Sequence, residues 1–276
     1  MKKIKLLVVS FALLALLVAP GLVRAEQVLM MATTTSTDNT GLLDYLAPKF
    51  KKDTGIELRW TAVGTGKALK MGENCDVDVL MVHAPAAEQK YVDSGALKDR
   101  REVMYNDFII IGPESDPAGV KGMAVIPAMK GIAAKKAPFI SRGDNSGTNK
   151  KEISLWKVAG MAVPDKEEWY IQTGQGMIKS IAVAEERGGY TMTDRGTYIK
   201  YSATKNGNPE LKVLVEGDKT LFNQYSVLAV NPAKCKNAKY DLATKFSEWM
   251  ATPKTQQEIA DFKLLGKKLF TPNAKK

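Results

Sequence analysis

Ser141-Arg142-Gly143-Asp144-Asn145-Ser146-Gly147-Thr148 places an arginine, several hydroxyls and two glycines directly before a run that reads as a helix. The chemistry of the loop fits an oxyanion. Arginine offers a rigid, permanently charged fork of donors. Ser146 and Thr148 each offer a hydroxyl. Gly147 lets the backbone come close. The helix that follows points unpaired N–H groups and the positive end of its dipole at the same spot.

Upstream, the same design occurs twice. Met31-Ala32-Thr33-Thr34-Thr35-Ser36-Thr37-Asp38 crowds hydroxyls at the end of the apolar strand Val28-Leu29-Met30-Met31. One such residue suffices to cap a helix, so a run of them implies a second role. Thr34, Thr35 and Ser36 are the expected ligand contacts. Val63-Gly64-Thr65-Gly66-Lys67 again puts glycines and a hydroxyl after a strand. It is not a phosphate-cradling Walker loop, because Thr61 and Ala68 stand where that motif needs glycine and a hydroxyl. Thr65 is the expected contact, Gly66 lies behind it and Lys67 points to solvent.

Between these loops the chain alternates. Leu42, Leu43, Leu46 and Phe50 fall on one helical face. Ile56–Trp60 and Val77–Val82 read as strands, and Ala84–Tyr91 as a helix. This order implies a mostly parallel sheet flanked by helices. Asn106–Gly112 and Phe222–Val230 read as two strands crossing between lobes. They divide the mature chain into a discontinuous first lobe, 26–111 with 222–276, and a continuous second lobe, 112–221. Two such crossings can act as a hinge. Lys239–Met250 is amphipathic, and Trp156, Trp169 and Trp249 read as core residues.

Residues 1–25 have the form of a secretory signal peptide: Lys2, Lys3 and Lys5, an apolar run from Leu6 to Ala19, and Val23-Arg24-Ala25 as the cleavage site. The expected mature chain starts at Glu26 outside the cytoplasmic membrane. Removing those residues takes away four basic groups and no acids, so the formal charge falls from +10 to +6. A basic envelope attracts small anions and equally serves solubility. No basic cluster interleaved with aromatics points to nucleic acid. Cys75 and Cys235 can bridge in an oxidising compartment, but their spacing does not decide whether they do. His83 is the only histidine, which argues against a metal centre or cofactor chemistry. It is expected to be a hydrogen-bonded structural residue, with a ligand contact as the alternative. Asp144 is expected to orient Arg142. Arg195, in Thr193-Asp194-Arg195, is either a second arginine at the site or half of a structural ion pair. Gly174–Met177, ahead of a helix, reads as a turn, with an approach to the cleft as the alternative.

Taken together, Ala32–Thr37, Val79–Pro85, Asn106–Phe108 through Gly112–Pro117, Phe139–Thr148 and Tyr190–Thr197 resemble the periplasmic substrate-binding proteins of ABC importers for oxyanions, and most closely the tungstate-binding family. The resemblance implies a two-lobed, type II periplasmic binding fold that closes on its anion. It implies Thr34, Thr35, Ser36, Thr65, Arg142, Ser146, Gly147 and Thr148 as ligand contacts, with delivery of the anion by a monomer to a membrane permease and its ATPase. Molybdate and phosphate receptors share the fold and remain alternatives. An extracytoplasmic phosphatase is a remote one, since no nucleophile–base or metal motif is visible.

Overall fold

The computed structural model describes residues 27–275; the proposed signal peptide lies outside them. Among the described residues ten strands build the main sheet: β1 Gln27–Thr34, β2 Ile56–Val63, β3 Val79–Val82, β4 Leu97–Pro113, β5 Phe139–Ser141, β6 Tyr170–Gln172, β7 Tyr190–Asp194, β8 Leu211–Val215, β9 Phe222–Val230 and the short strand Thr271–Pro272. Ten helices accompany them: α1 Thr35–Asp38, α2 Leu42–Thr54, α3 Thr65–Glu73, α4 Pro85–Asp93, α5 Val125–Ala134, α6 Gly147–Val158, α7 Met177–Glu186, α8 Arg195–Thr204, α9 Tyr240–Met250 and α10 Pro253–Asp261. None is long and apolar enough to cross a membrane.

The strands run in the order β2-β1-β3-β9-β4-β7-β5-β6, with β8 and the short strand Thr271–Pro272 also on β4. Pairing is parallel in the outer strands, β1 with β2 and β3, and β5 with β6 and β7. It is antiparallel wherever β4 or β9 takes part, so the expected parallel sheet is a mixed one. β4 and β9 pair from Leu97↔Val230 to Asp107↔Phe222. β4 begins well before the apolar stretch that suggested it. Its first half carries Lys98-Asp99-Arg100-Arg101-Glu102 and two register shifts, so it does not look like a strand in sequence. Arg100 turns inward there and pairs with the fully buried Glu88 of α4 at 2.7 Å.

The hydrophobic core divides along these strands. Two clusters draw on residues up to Met104 and from Tyr225 onward, joined by Ile199 of α8. The other two draw on Phe108 through Leu221. In the first region Leu42, Leu43, Leu46 and Phe50 of α2 are buried together. In the second, Trp156 packs edge-on to Phe139 at 5.5 Å. Trp156 and Trp249 are buried and Trp169 packs at the margin of the second core. Cys75 and Cys235 form a disulfide that ties the turn after α3 to the loop before α9.

Candidate functional site

A cavity of about 930 Å³ opens where the ends of β1, β2, β3, β5 and β7 meet the starts of the helices that follow them. All eight expected contacts, Thr34, Thr35, Ser36, Thr65, Arg142, Ser146, Gly147 and Thr148, line it, as do Asp144 and Gly66. Arg195 does not. It donates bidentately to Asp107, at 2.6 and 2.5 Å, and to Glu216 at 2.7 Å. Those bonds raise its already high pKa against the opposing effect of burial, and it serves as the structural ion pair. Its neighbour Asp194 caps α8, accepting from the Thr197 N–H at 2.8 Å and the Thr197 hydroxyl at 2.7 Å.

The first hydroxyl run is sorted by its local bonds. Thr34 ends β1 and caps α1, so its Oγ1 accepts from Thr37 N and meets the hydroxyls of Ser36 and Thr37 at 3.0 and 2.7 Å. Thr35 and Ser36 are exposed to the cavity. Two of the longer helices begin at the cavity with donors to spare. α3 starts after Gly64 with no side-chain cap, leaving the N–H groups of Thr65, Gly66 and Lys67 without intrahelical partners. α6 starts after Ser146, whose hydroxyl accepts from Asn149 N at 3.3 Å, which leaves Gly147 N–H and Thr148 N–H.

The Arg142 loop is held from behind. Arg142 Nη2 donates to Asp144 Oδ2 at 2.5 Å, and Asp144 Oδ1 accepts from Ser146 N at 3.1 Å. Burial opposes ionisation of Asp144, but the bonds from Ser146 and Arg142 outweigh it and hold the carboxyl below its usual range. Asn145 N donates to Asn149 Oδ1 at 3.0 Å. Asn149 Nδ2 donates to Ser141 Oγ and to the buried carboxylate of Glu152. Glu152 also accepts from Ser141, from Trp156 Nε1 and from Tyr170 OH. Gly143 has φ +61°, and a Cβ there would lie 2.9 Å from Gln172 Cβ, so only glycine fits the turn. Among the described residues, Arg142 Nε is a buried donor with no hydrogen-bond partner. A buried unpaired donor costs free energy unless something accepts from it.

Two features stood only as the less favoured readings of the sequence. Met177 and Ile178, at the start of α7, reach the cavity, so the Gly174–Met177 turn delivers a helix end. His83 is held at the cavity by Asn223 Oδ1 at Nδ1 (2.9 Å) and by the hydroxyls of Thr34 and Ser36 at Nε2 (both 3.0 Å). The polar pair Asn223-Gln224 inside the apolar β9 is the one signal that could have suggested it. The cavity wall carries five basic residues, Lys67, Arg142, Lys150, Lys151 and Lys200, against Asp144 and Asp194, a balance that favours anions. Among the described residues no group of three His, Cys, Asp or Glu is placed to hold a metal ion.

A convergence of helix starts, hydroxyls and one arginine on a cavity between two cores defines an anion-receptor class of α/β protein. Residues 24–254 match the domain model of the PBP superfamily. The tungstate-binding protein TupA of Campylobacter jejuni is 54% identical over 87% of this chain and 89% of its own length. The structure of the tungstate-binding protein TupA from Desulfovibrio alaskensis G20 is 70% identical, with a TM-score of 0.88 over 90% of this chain and all of that one. That of the tungstate ABC transporter protein from Geobacter sulfurreducens is 48% identical, with a TM-score of 0.75 over 86% of this chain and all of that one. The chain belongs to the PBP superfamily and, within it, to the tungstate-binding family of these relatives.

Proposed function

We propose that this chain is a periplasmic receptor that captures tungstate and delivers it to an ABC importer, that is, to a membrane permease and its ATPase. The observation that carries this is the buried, unpartnered Nε of Arg142 beside the open N–H groups of α6 and the hydroxyls of Thr35, Ser36 and Thr65. Thr34, Thr35, Ser36, Thr65, Arg142, Ser146, Gly147 and Thr148 hold the anion; Asp144 and Gly66 support them. The two core regions act as lobes, 26–111 with 222–276 and 112–221, which close over the anion and shift the population to a form the permease reads. The signal peptide is cleaved after Ala25, and the mature chain works as a monomer without a cofactor.

The protein is a receptor, not an enzyme. Ser36, His83 and Asn223 have the connectivity of a nucleophile, a base and an orienting group. An amide, however, supplies no negative charge to stabilise an imidazolium during proton transfer. Asp144 accepts from Arg142 and from Ser146 N, which commits it to holding the loop. A fully deprotonated tetrahedral dianion needs only donors, and this cavity supplies them. Molybdate carries the same charge on nearly the same body.

Calorimetric titration of the anion-stripped mature protein tests this, with tungstate, molybdate, sulfate and phosphate in competition. Tight one-to-one tungstate binding that survives excess sulfate and phosphate is the expected result. Phosphate binding without tungstate binding would move the chain to a phosphate receptor.

A further inference from the structure

The only histidine of the chain sits where the hydroxyl run, α6 and β9 meet, and its hydrogen bonds fix its tautomer. Asn223 Nδ2 donates to Asn106 Oδ1 at 2.8 Å, which turns Asn223 Oδ1 toward the ring. The 2.9 Å contact at Nδ1 is therefore Nδ1–H donating to that oxygen. In the neutral ring Nε2 then carries only a lone pair. It is the acceptor for the Thr34 and Ser36 hydroxyls, both 3.0 Å away. Across the cavity, a Cβ built on Gly147 would lie 4.0 Å from His83 Cε1, so the ring edge adjoins the start of α6.

Nε2 has one lone pair and two hydroxyls converge on it, each with a single proton. Thr34 Oγ1 also meets the Ser36 and Thr37 hydroxyls, at 3.0 and 2.7 Å. When Ser36 turns its proton to the anion, the lone pair keeps only the shared proton of Thr34 and stands beside an acceptor-only ligand. We propose that His83 is a ligand-binding residue that takes up one proton from solvent when the oxyanion binds, so that Nε2–H becomes a donor to the anion and the Ser36 hydroxyl is released to donate to it as well. The ring passes from neutral to +1, the new Nε2–H is the only covalent bond formed, the hydroxyl bonds to Nε2 are given up, and part of the dianion's charge is balanced inside the cavity. The inference rests on the oxyanion-receptor reading above.

The charged neighbours are consistent with a ring that is neutral until the anion arrives. Burial lowers the His83 pKa, offset in part by the bond to Asn223 and the negative charge of Asp194 at the start of α8. Tyr225 of β9 stacks on the ring at 4.7 Å and is itself held neutral by burial. The Arg142–Asp144 pair faces it across the cavity, and the buried Arg100–Glu88 pair lies beneath Ala84. Each pair is closely balanced in charge. Lys67, Lys150, Lys151 and Lys200, on α3, α6 and α8, line the same cavity and oppose a further cation. A dianion reverses that balance.

Because there is one histidine, its protonation can be read directly. The protein carrying isotope-labelled histidine would be studied by NMR between about pH 6.5 and 9, with and without micromolar tungstate. Calorimetry in buffers of different ionisation enthalpy counts the protons bound. Without tungstate the ring should be the neutral Nδ1–H form; with it, both nitrogens should carry protons. Affinity should fall by up to about tenfold per pH unit as pH rises from the free to the bound pKa of the ring. His83→Gln should abolish both the proton uptake and that slope, with its fold checked by the thermal melt. A tungstate complex whose ring stays in the Nδ1–H form with no proton taken up overturns the proposal. So does a His83→Gln variant that keeps the wild-type slope. No tungstate binding at any pH would instead overturn the receptor reading beneath it.

Discussion

Replacing Arg142 by alanine removes the one arginine of the cavity and strands its partner. Arg142 and Asp144 pair at 2.5 Å, with side chains only 19% and 21% exposed. Truncating one partner of a hydrogen-bonded charge pair at a binding surface costs about 2–5 kcal/mol of affinity, much of it from the charge left unpaired. Here the stranded carboxylate also faces the incoming anion. A fifth of each side chain is in contact with solvent, which screens the charge and favours the lower half of that range. A loss of about 2–3.5 kcal/mol in binding corresponds to about 30- to 400-fold in Kd. Asp144→Asn in the same chain removes the stranded charge and should restore roughly tenfold or more, although the arginine is still missing. The assay is calorimetric titration with tungstate of Arg142→Ala, Asp144→Asn and the double variant, with ligand-free melts to show that each is folded. Binding by Arg142→Ala within about threefold of the parent would place Arg142 outside the ligand's reach. A double variant no tighter than Arg142→Ala would show that Asp144 is not electrically felt by the anion. Either result refutes the reasoning.

Three further outcomes follow from the supports of the site. In Glu152→Gln the new amide can accept at one oxygen only, while four donors converge on the carboxylate. One or two lost bonds at about 1–3 kcal/mol each should lower the melting temperature by several degrees in a scanning calorimeter. Gly143→Ala forces an L side chain to φ +61° against Gln172, at about 1–2 kcal/mol for the backbone alone. Tungstate titration should show weaker binding, and unchanged affinity would mean the loop can turn another way. Serine at both Cys75 and Cys235 opens a link of sequence separation 160, worth up to about 5 kcal/mol by chain entropy. The melt should fall markedly while tungstate affinity stays near the parent value.

What the sequence disclosed was what neighbouring residues decide. Thr34–Ser36, Val63–Lys67 and Ser141–Thr148 each carry strand end, loop and helix start in one stretch, so the chemistry and its placement appear together. β9 was legible, Phe222–Val230, because Tyr225–Val230 is a mostly apolar run that ends at Asn231-Pro232. The hidden parts depend on residues far apart in the chain. Asn223 meets His83 across 140 positions, and nothing near His83 hints at it. Arg195 finds Asp107 across 88 positions, which takes it away from the cavity. The charged first half of β4 is a strand because β9 pairs with it, not because of its own pattern. Cys75 and Cys235 needed the fold to bring them together.

The cavity's selectivity has to come from geometry rather than charge. Sulfate, molybdate and tungstate all present two negative charges, and the donors lining the cavity where its helices start are mostly neutral hydroxyls and N–H groups. Arg142 is already shared with Asp144, so its charge is half spent inside the protein. Such a site tells anions apart only if its donors stay at fixed separations, because a loose ring of hydroxyls shrinks onto a smaller body. Rigidity is supplied from behind: Trp60 Nε1 bonds Asp38 at 2.7 Å beside the hydroxyl run, Asn149 braces Asn145 and Ser141, and Glu152 gathers Ser141, Asn149, Trp156 and Tyr170. None of Trp60, Glu152 and Tyr170 lines the cavity. Loosening this layer should therefore erode discrimination before it erodes affinity. In Glu152→Gln the ratio of sulfate to tungstate dissociation constants should shrink more than the tungstate constant itself rises. An unchanged ratio with weakened tungstate binding would assign selectivity to the contacting donors alone.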